Sequence, residues 1–256
     1  ISGNAYENET TTDLAVCDGS TANIALVVAT STPSYHTTSC DATTGAYSFS
    51  SITAPAASTG LFIYIDGASS VGASFNNYSG SGNVTEFQVR RDRLILKNDS
   101  TGVITNANLD SWDNNNDADQ VYTVTTNNLT VETGIKVMVA PGDTYDPGGT
   151  VTTQGAAGDF YVATTSVAYL DTASNTIAGD IHVDVNGGTG GTLYIDADTT
   201  VNGGDIQATS TANILYSGGM RPTVTISGTG TMSLPVPTST TMWVLSIMQT
   251  RQTPSM

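Results

Sequence analysis

The residues best suited to chemistry lie in one acidic loop near the middle of the chain, LDSWDNNNDADQ. Oxygen-bearing side chains recur there at short intervals, and calcium takes about six to eight oxygen ligands of this kind. The order Asp-x-Asn-x-Asp, which opens many calcium-binding loops, stands at the centre of the loop. We therefore predict a calcium site, the only cofactor that the sequence suggests, at Asp110, Asp113, Asn115, Asp117 and Asp119.

The loop departs from the EF-hand pattern at two positions. With Asp113 in first place, that pattern requires glycine and glutamate where this chain has Ala118 and Val124. A solvated hairpin tip is therefore the alternative interpretation of the loop.

Other catalytic patterns are absent from the sequence. The chain has two histidines, His36 and His182, and it contains no Ser-His-Asp order, phosphate-binding glycine loop or zinc-type Cys/His spacing. We predict that the protein is not an enzyme. A polysaccharide-active enzyme, using two of its many carboxylates, is the least favoured of the functions considered.

The charge balance restricts the partners. A formal net charge of −16, with only seven Lys and Arg residues, argues against nucleic-acid or anionic-membrane partners, because both require a basic face. No segment approaches the ~20 apolar residues of a membrane span. Charged residues make up only 12% of the chain, so Thr, Ser, Asn and Gly carry its solubility, as is typical of extracellular β proteins. We predict a secreted or cell-surface location.

Two cysteines, Cys17 and Cys40, lie in the first fifth of the chain. An extracellular compartment favours a disulfide between them, which on the chain-entropy model contributes roughly 3 kcal/mol. Two unrelated buried thiols are the alternative.

The hydrophobic pattern predicts an all-β protein. Apolar and polar residues alternate in strand-sized segments between turn residues, which indicates an antiparallel β-sandwich over residues 1–78. The rest of the chain, residues 79–256, is predicted to form a larger repetitive β domain, either a sandwich or a solenoid. We divide this domain into a strand region (83–155), solenoid-like rungs (156–233) and a C-terminal strand (240–249).

A short repeat supports the solenoid interpretation. It comprises Gly158-Asp159-Phe160, Gly179-Asp180-Ile181 and Gly204-Asp205-Ile206, and the segments preceding the last two also agree. Such spacing is typical of a unit that buries its apolar face only by stacking on its neighbours. Coincidence in a chain rich in Gly, Asp and Thr is the alternative.

Two resemblances extend the prediction. The order ISGNAY, TTGAYSFSSI and LFIYIDG in the first ~75 residues resembles the prealbumin-like sandwich of carboxypeptidase regulatory-like and Cna-B-type modules, which serve as stalk units in bacterial surface proteins. Several such modules carry a Lys–Asn isopeptide bond, but the lysines here are Lys97 and Lys136, outside that region. Further along the chain come NVTEFQVRRDRLILKND, GVITNANLDSWDNNNDAD and TVETGIKVMVAPGDTYDPGGTVTTQGAAGDF. Together these segments resemble repetitive, presumed secreted proteins of uncultivated bacteria without an assigned activity. The resemblance implies a structural role at the cell surface.

We therefore predict a structural subunit of an extracellular filament or surface layer, whose partners are copies of itself. Strand-like segments at the two ends of the chain are the candidates for strand addition between subunits. The candidate assembly residues are Ile1 and Tyr6 at one end and Met242, Trp243, Leu245 and Ile247 at the other. A stalk or adhesin module that binds glycans or calcium, without self-assembly, is the alternative.

Overall fold

Within the described residues, the regular structure consists of β-strands and one short helix, which confirms the all-β prediction. The structure is a computed structural model that describes residues 1–7, 16–172, 174–184, 189–209, 211–215, 223–227, 231–233 and 247–250. For Ser227, residues 232–233 and residues 247–250, only the backbone is described.

The chain divides into two units, residues 1–124 and residues 125–256. The boundary lies further along the chain than the sequence predicts. The reason is strand pairing, because two strands after position 78 join sheets of the first unit instead of beginning the repetitive region.

The first unit contains eight strands, a helix and the start of a ninth strand. Their bounds are β1 Ser2–Tyr6, β2 Ile24–Ala29, β3 Ser34–Thr38, β4 Ala46–Ser48, β5 Gly60–Ile65, β6 Ala73–Asn77, β7 Val89–Arg90, β8 Arg93–Asn98, α1 Asn106–Leu109 and β9 Tyr122–Thr125.

The first eight strands form a β-sandwich. One sheet has the order β3-β2-β5-β6-β8 and the other the order β4-β1-β7. Most neighbours are antiparallel, as predicted, but β7 pairs with β1 and β8 pairs with β6 in parallel. Alternate residues of facing strands fill the space between the sheets, including Ala5, Leu26, Ile63, Tyr47 and Val89.

The disulfide between Cys17 and Cys40 is present, which confirms the prediction, and both cysteines belong to this core. It joins the segment before β2 to the segment before β4. The bridge closes a loop with a sequence separation of 23 residues.

The second face of the larger sheet is also buried. Phe62 and Phe75 lie there, with ring centroids 5.1 Å apart, and both are almost fully inaccessible to solvent. A segment after β8 reaches this face, because the Tyr64 hydroxyl donates to Asp117 at 2.6 Å. The segment includes helix α1, whose start is fixed by a capping box between Thr105 and Asn108.

The second unit contains fifteen described strands. Their bounds are β10 Asn128–Thr133, β11 Lys136–Val139, β12 Thr144–Tyr145, β13 Val151–Gln154, β14 Phe160–Val162, β15 Val167–Leu170, β16 Asn175–Ile177, β17 Ile181–Val183, β18 Thr192–Ile195, β19 Thr199–Asn202, β20 Ile206–Ala208, β21 Asn213–Leu215, β22 Val224–Ser227, β23 Met232–Ser233 and β24 Ile247–Thr250.

These strands form a three-sided parallel β-solenoid of about six turns. From β10 to β23, every third strand joins the same sheet, so each turn adds one strand to each side. The sides are β10-β13-β16-β19-β22-β24, β11-β14-β17-β20-β23 and β12-β15-β18-β21.

One turn of the solenoid takes 21 to 26 residues, as shown by the pairs Phe160–Ile181 and Ile206–Met232. The solenoid interpretation is thus confirmed, and the solenoid begins earlier than predicted, within the region assigned to plain strands. Inward-pointing residues stack from turn to turn and are fully buried, for example Val137, Phe160, Ile181 and Ile206.

Candidate functional site

The first half of the predicted calcium loop is anchored to the protein itself. Asp113 is 1% exposed, and its carboxylate accepts backbone hydrogen bonds from Asn115 at 2.9 Å and from Val124 at 2.8 Å. The Asn115 side-chain amide donates to the same carboxylate at 2.9 Å. Asp113 therefore fixes the loop to β9. Asp110 ends helix α1, and both Asp110 and Asn115 are exposed.

The second half of the loop meets the end of β5. Asp117 accepts from the Tyr64 hydroxyl at 2.6 Å, and Asp119 accepts from the backbone amide of Gly67 at 2.9 Å. Both aspartates are half-buried. They are separated from β5 by more than 50 residues of sequence, so the fold alone brings them to this place.

A third carboxylate, Asp66, joins Asp117 and Asp119. Burial raises the pKa of Asp66, a hydrogen bond from the Tyr35 hydroxyl opposes that shift, and the neighbouring charge of Asp119 and Asp117 raises the pKa further. Sequence analysis missed this residue. The only available signal was an acidic residue directly after a strongly apolar strand, in LFIYIDG.

The loop is therefore arranged differently from a simple series of ligands. The structure brings Asp117 and Asp119 together with Asp66, and it uses Asp113 to hold backbone amides. Like charges held together in a half-buried place favour a proton or a cation there. Calcium binding by the loop stays a prediction.

The Gly-Asp repeat of the sequence marks one corner of the solenoid. A Cβ atom on Gly158 would come within 2.7 Å of the Gln154 carbonyl oxygen. A Cβ on Gly179 would overlap Asp159, and one on Gly204 would overlap the Gly179 carbonyl. Only glycine fits at this corner, where the backbone passes this close to its own turn at Gly158 and to the preceding turn at Gly179 and Gly204. The repeat is therefore real, and its glycines are required by packing.

The aspartates of the repeat form a vertical row. Asp159 accepts a hydrogen bond from the backbone amide of Asp180 at 2.9 Å, and Asp180 accepts one from Asp205 at 2.7 Å. Asp205 accepts from the amide of Thr231 at 2.6 Å. Each carboxylate thus satisfies an amide of the next turn, which would otherwise be left without a partner at the corner.

Tyr161 and His182 lie on the same outer face, each two positions after an aspartate of this row. Strand residues two apart point to the same side, and the register pairs Tyr161 with His182. Their rings stack with centroids 4.4 Å apart and an angle of 19°. His182 is 8% exposed, and its Nε2 atom lies 3.6 Å from Asp180 Oδ2.

These outer residues form a second candidate site, which sequence analysis did not find. Asp159, Asp180 and His182 each offer one ligand atom, and the three atoms lie within 4.8 Å of one another. In the sequence, Asp159 and Asp180 stand out only as members of a repeat, and His182 only as one of two histidines without a catalytic pattern.

The predicted assembly residues fall into three groups. Strand β1 starts beside Ile1, includes Tyr6, and pairs with β4 on one side and β7 on the other. Ile247 begins β24 and pairs with Val224 of its own chain. Met242, Trp243 and Leu245 lie outside the described residues.

Comparison with known proteins gives no relative. No family model, curated protein or solved structure matches the chain. The resemblance to carboxypeptidase regulatory-like and Cna-B-type modules therefore stays a prediction. Within the part of the chain that the structure describes, no helix is long and apolar enough to cross a membrane.

Proposed function

We propose that this protein is a non-enzymatic, extracellular structural subunit that assembles into a filament or surface layer by strand addition. The observation that carries the proposal is strand β3, an exposed edge of the sandwich. Among the described residues of that unit, β3 pairs with β2 on one side and with no strand on the other.

Pro33 directly precedes strand β3, but the five residues of the strand itself carry none of the charges, prolines or bulges that normally protect an edge. Its five residues, SYHTT, contain no lysine, proline or carboxylate, and its five register pairs with β2 run without a bulge. Proteins usually shield such edges with charges, prolines or bulges, because an open edge pairs with other strands. Tyr35 in this strand is 46% exposed. The two edges of the smaller sheet are shorter, with three residues in β4 and two in β7.

The hydrogen-bond pattern shows which backbone groups of β3 face outward. The Asp66 amide donates to the Asn23 carbonyl at 2.9 Å, so Asn23 faces β5. Successive residues of a strand direct their backbone groups to alternate sides. Ile24, Leu26 and Val28 of β2 therefore bond to β3.

The partners of those three residues are Thr38, His36 and Ser34. By the same alternation, Tyr35 and Thr37 direct their amide and carbonyl groups away from β2. These are the groups that an incoming strand would bind.

The incoming strand is proposed to come from the C-terminal apolar block. Strand β1 is already held on both sides, and Ile247 pairs within its own chain. Of the predicted assembly residues, Met242, Trp243 and Leu245 remain as candidates for a donated strand. The disulfide supports the extracellular location, because such bonds persist in oxidising compartments.

Replacement of Thr37 tests the proposal. Proline removes the outward amide at a position where an edge strand tolerates it, while Thr37→Val keeps that amide. By electron microscopy we expect regular filaments from the wild type and from Thr37→Val, and none from Thr37→Pro. Circular dichroism should show that all three proteins are folded.

Two results would contradict this proposal. Filaments of unchanged symmetry from Thr37→Pro would place the contact elsewhere. A wild-type protein that stays monomeric at high concentration would favour the stalk interpretation. Deletion of residues 241–256 separately tests the donor, and it should abolish filaments without unfolding the sandwich.

A stalk or adhesin that binds glycans is the second candidate. It is favoured by Tyr169 and Tyr194, which are half-buried on the outer side of β15 and β18 and stack with centroids 4.7 Å apart. Aromatic surfaces with polar neighbours are typical of small-molecule sites. Glycan-array binding that is lost in Tyr194→Ala, without any filament, would support this function.

A further inference from the structure

The outer face of the second solenoid sheet carries two parallel rows of functional side chains. One row contains Tyr161 and His182, which pair in register on adjacent strands, and the other contains Asp159 and Asp180, which directly precede the same two strands. Adjacent strands of a sheet are about 4.8 Å apart. The solenoid therefore holds two carboxylates and an imidazole close together.

The orientation of the two carboxylates is fixed by the backbone. Oδ1 of Asp159 accepts the Asp180 amide at 2.9 Å, and Oδ1 of Asp180 accepts the Asp205 amide at 2.7 Å. The Oδ2 atoms meet side chains instead, since Lys136 Nζ lies 3.0 Å from Asp159 Oδ2 and Gln207 Nε2 lies 3.3 Å from Asp180 Oδ2. In each aspartate, Oδ1 is thus bonded to a backbone amide of the corner, and Oδ2 faces a side chain that a metal ion could replace.

The imidazole is held just as firmly. His182 is more than nine-tenths buried, and its ring lies against the ring of Tyr161. Its Nε2 atom faces Asp180 Oδ2 at 3.6 Å. The ring therefore needs no large movement to bind the same metal ion as Asp180.

The local charge favours a cation. Asp159, Asp180 and Asp205 form a row of three carboxylates on successive turns, and Lys136 pairs with the first of them. The Lys136 ammonium also lies 5.7 Å from the centre of the Tyr161 ring. The positive charge of Lys136 is therefore already attracted to the place where a metal would bind, and this flexible side chain can be displaced.

We propose that Asp159, Asp180 and His182 bind a divalent transition metal of the zinc class, with Asp159 Oδ2, Asp180 Oδ2 and His182 Nε2 as ligands. Imidazole suits zinc, copper and nickel, whereas calcium prefers oxygen ligands alone. Three protein ligands leave a further position for water or for a group from another molecule. The metal joins two successive turns, so it also stabilises the solenoid by mass action.

The two histidines of the chain allow a direct test on the unmodified, tag-free protein. After treatment with a chelator, zinc is titrated and followed by calorimetry and by NMR of the imidazole groups. We expect about one zinc ion per chain at saturation, a shift of the His182 resonances, and no shift of those of His36. His36 is the natural internal control, since its Nε2 atom lies beside the Ser34 hydroxyl in β3.

Three variants sharpen the test. His182→Asn should weaken zinc binding by more than the ~10–100-fold that loss of an outer partner of a metal ligand causes. His36→Asn should bind zinc like the wild type. Lys136→Met removes the competing ammonium and should tighten binding by up to about fivefold, the equivalent of one partly exposed ion pair.

The proposal fails if zinc does not shift the His182 resonances of the wild type, or shifts those of His36 equally. It also fails if folded His182→Asn binds zinc as tightly as the wild type. If His182→Asn does not fold, as judged by circular dichroism, the wild-type NMR titration and the Lys136→Met titration decide the question. Calcium in place of zinc should leave the His182 resonances unshifted.

Discussion

The two units of this chain pair their strands in different ways. In the sandwich, strands distant in sequence pair with one another, as β1 does with β4 and β7, and one core joins both sheets. In the solenoid, each strand pairs with the equivalent strand of the next turn, 21 to 26 residues away. The sandwich has a covalent bridge, whereas both cysteines lie outside the solenoid.

The difference concerns how stability is distributed. A single core shared by two sheets unfolds as one cooperative unit, whereas each turn of a solenoid contacts only its neighbours and contributes a nearly separate increment. Damage to the sandwich should therefore spread through the whole unit. Damage to one turn of the solenoid should remain close to that turn.

A pair of matched core substitutions gives the largest expected effect and tests this difference directly. Leu26 in β2 and Ile181 in β17 are both 0% exposed. Leu26→Ala and Ile181→Ala should each cost about 2–5 kcal/mol, because each leaves a cavity. In hydrogen exchange monitored by mass spectrometry, Leu26→Ala should accelerate exchange throughout the sandwich, and Ile181→Ala mainly in the turns next to β17. Uniform acceleration over all described turns in Ile181→Ala would refute the nearest-neighbour account.

Removal of the disulfide should have the next largest effect. Replacement of Cys17 and Cys40 by serine should destabilise the sandwich by roughly 3 kcal/mol, because the unfolded chain regains the entropy of a loop of about two dozen residues. Exchange rates in the solenoid should not change. The measurement is thermal unfolding combined with hydrogen exchange, and equal destabilisation of both units would contradict the prediction.

Calcium should act on the sandwich alone. If the loop holds calcium near Asp117 and Asp119, an ion concentration of ten times Kd should stabilise the sandwich by about 1.4 kcal/mol. A chelator should reverse the increase in Tm, and Asp117→Asn should abolish it. His182→Asn is the matched control, because it leaves this loop intact. An unchanged Tm with calcium and with chelator would identify the loop as a solvated tip.

The smallest effect expected is a pH dependence at Asp66. Since the pKa of this carboxyl is raised in the folded state by burial, its favourable contribution is present below the ordinary pKa of 3.8 and is lost as pH rises through the folded value. Asp66→Asn should therefore gain Tm relative to the wild type as pH increases from about 3 to about 7.

Asp18, in the same unit, should show the opposite pH dependence of its contribution to stability. Hydrogen bonds from Thr21 and Ser20 lower the pKa of the Asp18 carboxyl, so its stabilising contribution is present above the ordinary value and is lost in acid. Asp18→Asn should therefore lose Tm relative to the wild type, and the loss should be larger at neutral pH. The same sign for both variants would contradict the assignment.

Much of the fold could be predicted from the sequence, because the relevant signals are local. Alternating apolar residues predict strands wherever one face is buried, and the Gly-Asp repeat predicts stacked turns because glycine is the only residue that fits the corner. The cysteine pair predicts the bridge from composition and compartment. The domain boundary could not be predicted, because only the pairing of β7 with β1 and of β8 with β6 assigns these strands to the sandwich.

The sites depend on register, which the sequence does not specify by itself. Asp66 meets Asp119 because the loop after α1 returns to the end of β5, and His182 meets Asp159 because β14 and β17 pair in parallel without a shift. A slip of one residue would direct His182 into the core and separate it from both carboxylates. Sequence alone therefore determined the strands, the corner glycines and the disulfide. Tertiary structure decided which charged groups lie together, because those distances are set by pairing between turns and sheets.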